Sequence, residues 1–396
     1  MKRHLPLLLC AALLPGCAGL DTAKDAWSSL TETVFGKDNA EPPRELAEDF
    51  VAKIKLGVQW KAEVGDGYGG QNINLVPAVT EDSVFAADYE GVIQARNRLT
   101  GDKRWQVEAE LPFSAGPALS KDKLIFGTRD AEIAAFAVAD GALLWKTSVS
   151  SSVLALPAVG GGVVVVRGSD GRLTGIDEKS GATLWSHERA APALAVRSKG
   201  GPAIADELVL DGFGGGKLTA LRLKNGQPEW ETLVALAHGR SEIDRLFDIN
   251  ASPVIKSDTL YVAGYQGGVA AVSLKDGEVQ WRQEKYSSHT GLTGNRRSLF
   301  MSDTASDVWR LEMRDGGDLW KQNELHQRRL TAPALVKDKL VVGDFEGYVH
   351  VLSQDDGSLL AREQIGDEPI EAAPVVFDDV VYVYTSGGKL AALTVE

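Results

Sequence analysis

Between Glu242 and Asn250 the chain reads EIDRLFDIN, which sets three carboxylates (Glu242, Asp244, Asp248) and Arg245 among Ile243, Leu246, Phe247 and Ile249. Carboxylates at this spacing suit three chemistries: oxygen ligation of a cation such as Ca²⁺, a general acid and base pair, or the charged rim of a protein contact. A calcium loop needs a glycine-centred twelve-residue spacing, which is missing here. An acid and base pair needs a pocket and a partner nucleophile, and neither accompanies the run. The contact remains, because an apolar centre with ionic edges is how protein interfaces are built.

Other chemistry-bearing residues point nowhere together. The 6 histidines (4, 187, 238, 289, 326, 350) include no pair at metal-ligand spacing. GDGYGG, Gly65 to Gly70, matches a dinucleotide fingerprint by letter only: no strand–helix–strand unit surrounds it, and it reads as a flexible loop. GFGGGK, Gly212 to Lys217, is followed by Leu218 where a phosphate loop needs Ser or Thr. A formal net charge of −13 disfavours a sequence-independent grip on nucleic acid or anionic lipid.

The start of the chain is a targeting segment. MKRH is its cationic head, LPLLLCAALL its apolar run, and PGC its small-residue exit. The run is too short to span a bilayer. LLPGC resembles the bacterial lipoprotein cleavage box, with Gly16 before an acceptor Cys17. Residues 1–16 then form the signal and Cys17 the acylated first residue. Cys10 leaves with the signal, so no free thiol remains, as suits an oxidising compartment. Ala18, in place of Asp, points to the outer membrane by resemblance to lipoprotein sorting.

What positions these residues is a repeat. TGDKRW, DGALLW, SGATLW, NGQPEW, DGEVQW and DGGDLW end at Trp105, Trp145, Trp185, Trp230, Trp281 and Trp320. Ala95, Ala135, Gly175, Ala220 and Ala271 stand ten residues before their tryptophans, and Pro77, Pro117, Pro157, Pro202 and Pro253 eighteen before that. Pro333 and Pro374 open two further copies, and Leu292 replaces the proline in the copy ending at Trp320. Within one unit, apolar and polar residues alternate over 116–119, 123–128, 132–138 and 143–148, separated by turn residues. Four short strands per roughly 40 residues mean a β-propeller.

The fold expected is all-β: an eight-bladed β-propeller of four-stranded blades. The last copy stops at KLAALTVE, after its third strand, and LGVQWKAEV with Trp60 supplies the fourth, closing the ring. Recurrence in each blade makes the tryptophans packing residues rather than a stacking platform. The copy ending at Ala361 lacks its tryptophan, which implies weaker packing at that junction. Residues 17–55 are expected to form a lipidated tether and 56–396 the propeller.

Length varies only between each tryptophan and the next proline. These segments run 17 residues (60 to 77), 12, 12, 17 (185 to 202), 23 (230 to 253), 11, 13 and 13. All emerge on one face, where repeat proteins carry their binding insertions. Two long ones are consecutive. PALAVR in the first brings Leu194, Val196 and Arg197 beside the Glu242–Asn250 run of the second. An alternative is that both plug the central channel.

The lipobox, the eight PQQ-type blades, LAVR in one connection, EIDRLFDIN in the next and TAPAL…VVGDFEGYVH near the end together resemble the BamB family, lipoproteins of the outer-membrane β-barrel assembly machinery. The resemblance covers essentially the whole chain. It implies a non-catalytic scaffold on the periplasmic face, docking onto the POTRA domains of BamA, with other Bam lipoproteins reached indirectly and unfolded outer-membrane clients as possible ligands. By matching motif it places contacts at Leu194, Val196, Arg197, Asp248 and Asn250, where the family carries an acidic residue at the last; Glu242, Asp244 and Arg245 complete the expected surface. No cofactor is implied. The same blades occur in quinoprotein dehydrogenases that hold PQQ and calcium, but those use adjacent cysteines and a carboxylate cluster that this chain lacks. A general periplasmic chaperone holding unfolded strands along blade edges is a third reading.

Overall fold

In the computed structural model, which describes residues 41–188, 199–234, 249 and 251–396, the repeat becomes eight sheets arranged in a ring. Blade two shows the plan: Phe113–Leu119, Lys123–Thr128, Glu132–Ala137 and Leu143–Ser148 pair antiparallel in chain order, from the channel outward. The middle two strands of this blade are almost wholly buried apolar residues, while the fourth alternates exposed and buried. That is the expected signature of a strand with one wet face. Blade eight takes Val375–Phe377, Val380–Tyr384 and Lys389–Val395 from the C-terminal end and Leu56–Glu63 from the N-terminal part, with Trp60 opposite Ala392.

In five of the frames the small residue and the tryptophan turn out to be cross-strand partners. Ala95 faces Trp105, Ala135 Trp145, Gly175 Trp185, Ala220 Trp230 and Ala271 Trp281. The small side chain lets each indole lie flat across its own blade and reach the next one. There the Trp145 indole N–H donates to the Glu178 carbonyl at 3.0 Å, and a Cβ on Gly181 would come within 2.7 Å of the ring. Trp60, Trp105, Trp185, Trp230, Trp281 and Trp320 repeat this bond onto Arg98, Val138, Leu223, Leu274, Met313 and Gln354. The glycine four residues before each tryptophan therefore serves the indole of the preceding blade. It needs positive φ for its turn and has no space for a side chain (Gly141 at +76°, Gly277 at +75°).

Ala361 is the informative exception. The turn that a tryptophan there would cover is the gap between the ends of blade eight, where Glu396 N–H bonds the Lys55 carbonyl at 3.0 Å. The position is filled all the same: Ala361 is 1% exposed and packs with Val395, Leu393, Ile54, Leu56 and Val58. The weaker packing expected from the missing tryptophan is thus replaced by a different seal. Residues Arg44 to Ile54 form a strap beside blade seven. Arg44 N–H bonds the His326 carbonyl at 2.9 Å, Arg362 donates to the Ala47 carbonyl at 2.6 Å beneath the Phe50 ring, and Lys53 N–H bonds the Leu360 carbonyl at 2.7 Å.

One end of the strap rests on a buried ionic cluster. Arg328, 2% exposed, donates to Asp344 at 2.8 Å, to Glu346, and to the Arg44 carbonyl at 3.1 Å. His350 lies 2.9 Å from the same Asp344 oxygen. Burial holds the His350 pKa below the ordinary imidazole range, with Asp344 only partly offsetting it. The ring is neutral at pH 7 and donates to the carboxylate.

GDGYGG is not the flexible loop its composition suggests. Tyr68 is 1% exposed and gives its hydroxyl to the Leu75 carbonyl at 2.6 Å, while its own N–H bonds Ser386 of blade eight at 2.8 Å. The connection goes on to add Asn74–Leu75 as a parallel fifth strand beside Phe113–Leu119. A buried aromatic outweighs the backbone freedom of four glycines.

The indole docking predicts opposite outcomes for two substitutions. Trp145→Ala should cost about 3–5 kcal/mol of unfolding free energy by loss of a buried indole. Ala361→Trp, which restores the repeat, should destabilise by about 1–3 kcal/mol because its space is occupied. Urea unfolding of both variants checks this, and a stabilised Ala361→Trp would contradict the account.

Candidate functional site

Strand direction places the fourth-to-first connections and the second-to-third turns on one face of the ring. Two consecutive long connections return to the ring on that face, one at Lys199 and one at Ala251. Their roots are joined: Gly201 N–H donates to Ser252 Oγ at 2.9 Å. Gly201 is required because a side chain there would run into the Leu156 carbonyl. The second root is sealed by Ile249, 4% exposed, whose side chain occupies the space a Cβ on Gly212 would need. Its exit, Val234, is 2% exposed and bonds the Gly216 carbonyl at 2.9 Å.

Under the first root lies Arg167, 7% exposed, at the end of the second strand of blade three. Its guanidinium donates to Asp211 at 3.1 Å, to the Gly212 carbonyl at 2.8 Å and to the Gly200 carbonyl. Asp211 is fully buried in blade four. Five fixed donors let one side chain tie two blades and the connection above them. Removing the arginine alone would strand a buried carboxylate, a loss of about 3–5 kcal/mol.

Lys199 takes the root across the channel mouth. Its carbonyl accepts from Asn74 Nδ2 at 3.0 Å, and its ammonium meets Glu371 at 3.0 Å. Glu371 belongs to the connection between blades seven and eight, half a turn around an eight-membered ring from the junction of blades three and four. His289, in the connection between blades five and six, also feels this cation. Its pKa is lowered first by desolvation at the mouth and then by the Lys199 charge. The ring keeps an open side to solvent.

The residues expected to touch a partner, Leu194, Val196, Arg197, Glu242, Asp244, Arg245, Asp248 and Asn250, lie outside the described residues, as do the acceptor Cys17 and the apolar Ile243, Leu246 and Phe247. Ile249, expected in the outward apolar centre, is instead a core residue beside Leu210, Leu218 and Val234. Lys199, Glu371, Asn74 and Arg167 were not singled out by sequence. Lys199 follows LAVRS directly, but no periodicity marks Glu371. The 17-residue connection from Trp60 to Pro77 is as long as the first of the pair and packs inward. Length alone is therefore not the mark of a binding loop.

A family model described as outer membrane protein assembly factor BamB matches residues 89–322 and 310–396. The chain is 42% identical over 393 residues to the outer membrane protein assembly factor BamB of Pseudomonas aeruginosa, covering 99% of each. The crystal structure of BamB from Moraxella catarrhalis is similar at 27% identity and a TM-score of 0.77, over 86% of this chain and 100% of that one. The quinohaemoprotein alcohol dehydrogenase of Comamonas testosteroni shares the fold alone: 12% identity, TM-score 0.67, over 85% of this chain and 76% of the other.

The strut across the mouth predicts a titration. His289 should titrate below the usual histidine range, and Lys199→Met should move its pKa upward part of the way, leaving the desolvation component in place. Because the folded value is depressed, His289 adds to stability above its unfolded pKa of about 6.5 and that contribution is lost as pH falls below it. Histidine proton NMR over pH 4–8 reads the shift, and an unmoved resonance would place Lys199 elsewhere.

Proposed function

The chain belongs to the BamB family of outer membrane protein assembly factors, and on that premise we propose that it is a lipid-anchored, non-catalytic scaffold that promotes folding and insertion of outer-membrane β-barrel proteins. It binds the POTRA domains of BamA through the connections 186–201 and 231–252. Leu194 and Val196 supply apolar contact; Arg197, Glu242, Asp244, Arg245, Asp248 and Asn250 supply the polar rim. Cys17 carries the lipid once residues 1–16 are removed, and the residues after it tether the ring at the periplasmic face of the outer membrane.

The observation that carries this reading is the 2.9 Å bond between Gly201 and Ser252. It joins the roots of two insertions that are 51 residues apart in the chain. Both roots stand on buried supports, Arg167 under one and Ile249 under the other. A partner meeting both connections then has little of the base to order, which lowers the entropy opposing association. A rim of both signs favours charge-steered encounter and selects against like-charged surfaces. The ring contributes rigidity and one stable face, and no bond-making step is required of it.

Reversing charge with Arg197→Glu and Asp248→Arg together should abolish co-purification with BamA and leave the thermal melt unchanged. Retained binding by that folded double variant refutes the docking assignment. Anchoring is tested separately: Cys17→Ala should release the protein from the membrane fraction and remove the acyl mass, whereas continued acylation would reject Cys17 as the acceptor.

A further inference from the structure

The root of the connection between blades three and four is held from four directions within three residues. The Lys199 carbonyl is taken by Asn74 from the connection between blades eight and one, and the Lys199 ammonium by Glu371 from that between blades seven and eight. The Gly200 carbonyl is taken by Arg167 of blade three, and the Gly201 N–H by Ser252 beside blade five. Two of these four partners belong to the far side of the channel. A root that needed only to enter blade four would have no use for them.

Resting on the docking reading above, we propose that Lys199 is a positioning residue for partner binding. Its ion pair with Glu371, aided by Asn74, pins the root of the 186–201 connection over the channel mouth and sets how that connection is offered to the partner. The pair is part-exposed, 32% and 30%, so solvent screening gives it little weight in global stability. Its effect is on register. With the strut cut, Lys199 and Gly200 sample more arrangements, and apparent affinity falls by the fraction that remains competent. The supports under the ring, Arg167 and Asp211, are untouched, so folding is preserved.

The test uses the full chain and the purified POTRA domains of BamA, with affinity measured at low and high salt and a thermal melt for every variant. Lys199→Met and Glu371→Gln should each weaken binding about 3- to 10-fold, and Lys199→Glu combined with Glu371→Lys should return it to within about 2-fold of the parent. Near 1 M salt, where screening acts within about 3 Å, the single variants and the parent should converge. Melting temperatures should stay together throughout.

Single variants that bind like the parent, while Arg197→Glu/Asp248→Arg does not bind, overturn the positioning role and leave the docking surface standing. Weakened single variants that the charge swap fails to restore also overturn it, because Lys199 would then act by direct contact. If Arg197→Glu/Asp248→Arg binds like the parent, the docking reading falls and takes this inference with it.

Discussion

An indole laid across a glycine turn is the contact on which this ring depends. Seven tryptophans reach from one blade to the next, each covering a turn that has no side chain and giving its N–H to a carbonyl there. The arrangement satisfies a buried donor, covers about 200 Å² of ring, and fixes the spacing between neighbouring sheets. It also explains why three features of the frame travel together. The tryptophan needs a small residue opposite it on its own sheet and a glycine in the following one.

Ring closure follows from the same contact by showing where it cannot operate. Between blades seven and eight the place of the receiving turn is taken by the bond from Glu396 N–H to the Lys55 carbonyl, which joins two distant parts of the chain. The structure substitutes a hydrophobic plug of Ala361, Val395, Leu56 and Val58 and an added strap from Arg44 to Ile54. The strap's far end is clamped by Arg328, which pairs with the buried Asp344 and the half-exposed Glu346. An ionic cluster of this kind is costly to desolvate and is retained where it fixes a geometry. Here the geometry is that of the segment leading into the closing strand.

A rigid ring turns the connection face into a platform. The roots of the two long connections are close because consecutive junctions are neighbours, but adjacency alone does not orient them. Orientation comes from polar groups that the repeat does not contain: Arg167 beneath, Ser252 to the side, Asn74 and Glu371 across the mouth. The channel-plug alternative and the docking surface are in this respect compatible. The root of the first connection crosses the mouth through Lys199.

The sequence alone determined the blade count, the strand order and the packing role of the tryptophans, because a proline–small–glycine–tryptophan frame is written locally in every copy. The strands read at 123–128 and 143–148 are those observed. It also located the two oversized connections, since length is a property of the chain. Tertiary structure decided what each glycine of the frame receives, since the indole it meets comes from another blade. It decided that Ile249 faces inward and that GDGYGG is locked by one buried tyrosine, against what local composition suggests. It alone brought Lys199 to Glu371, 172 residues apart: a contact across a closed ring leaves no periodic trace, because only closure makes opposite sides of the channel neighbours.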